Sequence, residues 1–381
     1  MKLFWRPTHV STGLVVLVAG LALGGYLSVE SYRVERRLPN YKLKLRAARI
    51  TEKAFSAVKT ARKERNIGID RELDPTNSGL IGVTVSHITS KAGHLPAKQT
   101  TINPNWGAAF VSMYRKAGLR NGDVVAFGIS GSFPALNIAA LSACKAMGLR
   151  PIVISSLSSS MWGANHSRFT WLDLETILID ADVLNIKSVA ASYGGIEDRG
   201  IGIPKRGLRF IQKAIERNKV PELNGQSLKE LVNKRLKLYE EASEGIPIGA
   251  YVNIGGGIAS VGSLAAKKRF RSGINRDKPS RDGLSQDGVM SHFLRRDIPV
   301  INIVRIKKLA ARYGLPWVPV ATPNAGEGGV YRAKAYATWM VWTVLAMIAL
   351  ALLAITRVDV NFLLRRFFKS PRRDSTRGPA V

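Results

Sequence analysis

Between Asp123 and Ser160 the apolar positions change from a continuous run to a helical spacing and back again. Residues 124–127 are apolar and β-favouring, and they run into Gly128-Ile129-Ser130-Gly131-Ser132, where two glycines permit a tight turn. From Pro134 the period becomes helical. Leu136, Ala139, Ala140, Ala143, Cys144 and Met147 share one face, and Gly148 stops the helix. Residues 151–155 form a second continuous apolar run. Strand, helix and strand in this order predict a βαβ unit, and so a parallel sheet covered by helices. Ligands of such sheets lie beyond the carboxyl ends of the strands, and both ends here carry glycine and serine.

The same patterning extends to either side. Residues 39–66 read as a stalk helix with Leu43, Ala47, Ile50, Ala54, Ala57 and Ala61 near one face. Asp74-Pro75-Thr76-Asn77-Ser78-Gly79 is a turn cluster, in which Asp74 needs no role beyond turn chemistry. A polar loop at 100–105 opens a helix that ends at Gly118. Further strands are expected at 189–191, 250–254 and 299–304, with amphipathic helices at 204–218 and 227–242. The basic, aperiodic stretch 267–287 reads as a mobile loop. The expected fold class is α/β: a parallel-sheet, Rossmann-like domain with helices on both faces.

Two apolar runs flank that domain. Residues 11–29 carry no charge and are long enough to span a bilayer, as an uncleaved anchor or, since Lys2 and Arg6 precede them, a signal peptide. We read an anchor. Residues 337–355 start with Trp339 and Trp342, as an interfacial belt would. Beyond them Arg357, Arg365, Arg366, Lys369, Arg372, Arg373 and Arg377 face only Asp359 and Asp374. The positive-inside rule then puts residues 1–10 and 356–381 in the cytoplasm and residues 30–335 outside, against the opposing basic run 33–49. A net charge of +30 favours a polyanionic partner: nucleic acid, anionic lipid or an acidic polymer. Cys144 is the single cysteine, which excludes an intrachain disulfide, and its apolar neighbours mark it as core filler.

Four expected strand ends, at 128–132, 155–160, 192–200 and 254–260, are rich in glycine and serine. Hydroxyls and free amides converging there suit a phosphate or carboxylate. The candidate ligand-binding residues are Gly128, Gly131, Ser158, Ser159, Ser160, Asn165, Asp198, Arg199, Asn253, Gly255, Gly256 and Gly257. Gly131 is expected to need a positive φ or a close ligand approach. The 128–132 turn resembles the G-x-S-x-G nucleophile elbow of α/β-hydrolases, with serine in place of the final glycine. It also resembles the phosphate turn of sugar-isomerase-type phosphosugar-binding domains. As a nucleophile, Ser130 or Ser132 needs a base, and His166 is the histidine of the candidate loops. No phosphate-loop, HExxH or paired Cys/His spacing occurs, so neither a metal nor a cofactor is expected.

Taken together, DPTNSGLIGV (74–83), TTINPNWGAAFV (100–111), GDVVAFGISGSFPALNIA (122–139), SSMWGANHSRFTWLDLE (159–175) and AYVNIGGGIASVG (250–262) resemble the bacterial poly-γ-glutamate system protein family. The resemblance implies a membrane-anchored component of poly-γ-glutamate synthesis or export. Its implied partners are the polymer itself, the other membrane components of that machinery and membrane lipids, and not nucleic acid. It supplies no catalytic assignment. A serine-type hydrolase or transpeptidase acting on γ-glutamyl bonds, and a phosphosugar-type binding module, remain as alternatives.

Overall fold

Five of the six strands in the main sheet run parallel, in the order β3-β2-β1-β4-β6-β5. They are β1 Val124–Ser130, β2 Arg150–Ser156, β3 Ala190–Ser192, β4 Ile248–Ile254, β5 Gly273–Asn275 and β6 Val300–Ile303, with β5 antiparallel at the edge. The computed structural model describes residues 12–255, 257–279 and 287–357.

A strand buried on both faces must be apolar throughout, and β1 is. Its side chains divide by the strand period of two. Val125, Phe127 and Ile129 enter a core with the helices Tyr41–Glu64, Trp106–Ala117, Pro134–Met147 and Trp171–Asp180. Val124 and Ala126 enter the opposite core with Leu228–Ala242 and Val289–Arg295. Cys144 is fully buried in the first core. Gly118 (φ 100°) and Gly148 (φ 68°) end their helices in the left-handed conformation that a side chain would resist. The Asp74 carboxylate collects the amides of Ser78 and Gly79 and the hydroxyls of Thr76 and Ser78, so turn chemistry accounts for it.

The stretch expected as one mobile loop is partly ordered structure. Residues 264–268 form a short helix, and Gly273–Asn275 pairs with β6. Residues 280–286 lie outside the described residues. Across β4 and β6, Asn253 stands opposite Asn302, and its Nδ2 donates to Asn302 Oδ1 at 2.8 Å.

The chain divides into two compact units, Arg37–Arg332 and a second drawn from both terminal stretches. In the second, Thr12–Ser31 and Thr338–Arg357 are helices, and Gly25 lies where any Cβ would strike Val344. Among the described residues one helix, Thr12–Ser31, is long and apolar enough to cross a membrane. The described apolar part of the other, Thr338–Leu353, is shorter than that.

Candidate functional site

In this strand order the connections leave β1 and β4 in opposite directions, so a crevice position arises beyond their carboxyl ends. The turn after β1 occupies it. Ser132 N donates to Ser130 Oγ (3.2 Å), Asn137 Nδ2 holds Ser130 O (2.9 Å), and Ser160 N donates to Ser132 Oγ (3.1 Å). The Gly131 carbonyl accepts from Ala164 N at 2.7 Å. From β4, Gly255 closes on the turn with φ +63°, and a Cβ there would sit 2.9 Å from Ser130 Oγ. Gly131 itself is not in the left-handed region, so the positive φ expected as one of two reasons for glycine is not there; that conformation falls to Gly255 and Gly257 (φ +68°). The helix Pro134–Met147 starts directly after the turn without a side-chain cap, so its first amides and positive dipole end stay open.

Lys98 is the residue that the sequence reading missed. It lies on the short helix Leu95–Thr101 and is 2% exposed. Its Nζ donates to Ser160 Oγ at 2.8 Å and to the Ser132 carbonyl, and it sits 4.0 Å from the centroid of the Phe133 ring. Among the described residues no carboxylate pairs with it. Burial, followed by the like charge of Lys91, pulls its ammonium down to about 7. Ser130, Gly131, Ser132, Ser160 and Gly255 therefore converge with Lys98 around one turn.

Other expected site residues hold the fold together instead. The Asn165 side chain bridges Val83 and Thr89, and Ser158 Oγ accepts from Gly195 N. Ser159 Oγ donates to the Ser160 carbonyl. A Cβ on Gly128 would collide with the Tyr251 hydroxyl, which bonds Ser260 Oγ at 2.7 Å. Asn253 is engaged with Asn302, Arg199 pairs with Glu197 near the surface, and Gly256 lies outside the described residues.

Asp198 is buried, and its Oδ2 takes Arg235 Nη2 at 2.6 Å. Its Oδ1 takes the hydroxyls of Ser156 and Ser192, each at 2.8 Å. That carboxylate ties its loop to the ends of β2 and β3. A second buried network lies nearby. Burial pushes Glu175 up to about 7 against hydrogen bonds from Ser188 and Trp171, and Ser188 Oγ meets Ser155 Oγ.

His166 does not assemble with the turn serines. Its Nδ1 accepts from Arg168 N at 3.3 Å, and it makes no hydrogen bond to Ser130 or Ser132. No family model, curated protein or solved structure matches the chain.

Proposed function

We propose that this chain is a membrane-tethered component of a polyanion-handling system, and that the turn after β1, beside the end of β4, receives carboxylates of the polymer. The observation that carries the reading is Lys98: a buried cation without a carboxylate partner among the described residues, beside an uncapped helix N-terminus at the switch point. The net charge of +30 agrees with a polymeric anion. The sequence resemblance names it as poly-γ-glutamate, with other components of that machinery and the lipid bilayer as partners.

The pH dependence tests this. A bound carboxylate raises the Lys98 value above about 7, so binding takes up a proton between the free and bound values. Affinity is then greatest below pH 7 and falls as pH rises, by up to about tenfold per unit. Titrating the full chain in nanodiscs with poly-γ-glutamate between pH 7 and 9 should show that fall, and Lys98→Met should remove it. Affinity constant across the window would overturn the reading.

One contact favours a second reading. Neutral Lys98, 2.8 Å from Ser160 Oγ, is placed to take the hydroxyl proton as the serine attacks an amide and to pass it to the amine as the C–N bond breaks, water then cleaving the ester. Hydrolysis by this route rises with pH through the window in which carboxylate binding falls. Chain cleavage measured alongside binding separates the two.

The reading includes both apolar helices as spans, both termini in the cytoplasm and the unit Arg37–Arg332 outside. Val320 is 93% exposed and Cys144 is buried. Val320→Cys should therefore react with an impermeant maleimide in intact, outer-membrane-free cells. Labelling only after permeabilisation would refute the arrangement.

A further inference from the structure

A cleft of about 530 Å³ lies apart from the β1 turn, lined by Ser86, His87, His166, Ser167, Pro204 and Phe210 among others. Its size is that of a small-molecule site, and Val85, Ile88, Pro204 and Phe210 give it apolar walls beside two histidines and two serines. The helix Lys205–Arg217 forms one wall, pressed so closely on the neighbouring loop that a Cβ on Gly207 would strike the His87 carbonyl. The His87 and Phe210 rings lie 6.0 Å apart at 31°, and Arg206 covers Phe210 at 5.7 Å.

Ser86 Oγ is spent on the Asn165 carbonyl, so the polar atoms that face a ligand are those of the two histidine rings. Because His166 Nδ1 accepts from Arg168 N, the neutral ring carries its proton on Nε2, which has no protein acceptor among the described residues. Neither His87 nitrogen has a hydrogen-bond partner there. None of the described lining side chains is acidic. Burial first, then Arg168 and Arg62 against Asp173, hold His166 below its ordinary value, and Arg206 brings a cation to the Phe210 wall.

We propose that this cleft binds a small anion with a flat apolar body, its ring against His87 and Phe210 and its charge toward His166 Nε2 and Arg206. The site is independent of the β1 turn and does not need the polymer reading. The probe is phenyl phosphate, added to the full chain in phosphatidylcholine nanodiscs with ¹³C-labelled histidine. The resonances of His87 and His166 should move saturably, while those of His94 and His292 stay in place. Phe210→Ala should weaken the response at least tenfold, and His166→Gln should do the same to the His87 shift. Benzyl alcohol and inorganic phosphate should each bind at least tenfold more weakly than phenyl phosphate. No shift at millimolar phenyl phosphate would overturn the proposal. So would benzyl alcohol binding equally well, since the charge would then play no part, or phosphate binding equally well, since the ring would not.

Discussion

Arg235→Met should lower the unfolding free energy by about 3–5 kcal/mol, the usual loss when one member of a buried ion pair is removed. The Arg235 and Asp198 side chains are 0% and 1% exposed. Methionine can fill much of the space, but it leaves the Asp198 carboxylate buried with only the Ser156 and Ser192 hydroxyls as neighbours in that network. The double variant Arg235→Met/Asp198→Asn should recover most of the loss. The pair is no bargain in the native protein either, because Arg235 Nε and Nη1 are buried without partners. Denaturant unfolding of the full chain in nanodiscs, followed by tryptophan fluorescence, measures both. A single-variant loss below about 1 kcal/mol would mean that the carboxylate finds water or another donor.

Gly163→Ala should have the largest effect on the β1 turn without removing a hydroxyl or a charge. A Cβ at this position would collide with Ser159 Oγ, lie 2.5 Å from the Gly131 carbonyl and 3.0 Å from Ser132 Cα. Two of those neighbours are backbone atoms of the turn, so relief requires moving it. The expected cost is about 1–3 kcal/mol of overpacking, together with loss of poly-γ-glutamate binding. Gly68→Ala is the control, since nothing lies within 4 Å of its Cβ and its φ is not positive. It should stay within about 0.5 kcal/mol of the parent and bind normally. Normal binding by Gly163→Ala would show that ligand does not enter this turn.

The βαβ unit and its helix stops were legible because each rests on a local signal. The period changes at Pro134, and Gly118 and Gly148 stand where a left-handed residue must end a helix. Lys98 was not legible for the opposite reason. It lies in the polar stretch LPAKQTT, where a lysine reads as solvated, and its burial comes from Ser132, Phe133 and Ser160, which only the tertiary fold brings near. Arg235 did leave a trace. It falls on the apolar stripe of Leu228, Leu231, Val232, Leu236 and Tyr239, and an arginine in such a stripe asks for a buried acid. The edge strand Gly273–Asn275 was hidden by its three-residue length and its basic neighbours. His166 has the residue type of a catalytic base, and its loop meets the turn at Ala164, but the sequence does not say that its ring is engaged by Arg168 N instead of a turn serine.

The amide pair between β4 and β6 bears on how the sheet assembles. These strands are separated in sequence by a helix-containing excursion and the edge strand β5, so their pairing is non-local. Apolar strands such as YVNI and VINI could slide past each other with little loss of hydrophobic contact. Asn253 opposite Asn302 makes a slip by one residue expensive, because each buried amide would then face isoleucine or valine with its hydrogen bond unmade. The pair thus acts as a proofreading mark where two apolar strands far apart in the chain must find one register.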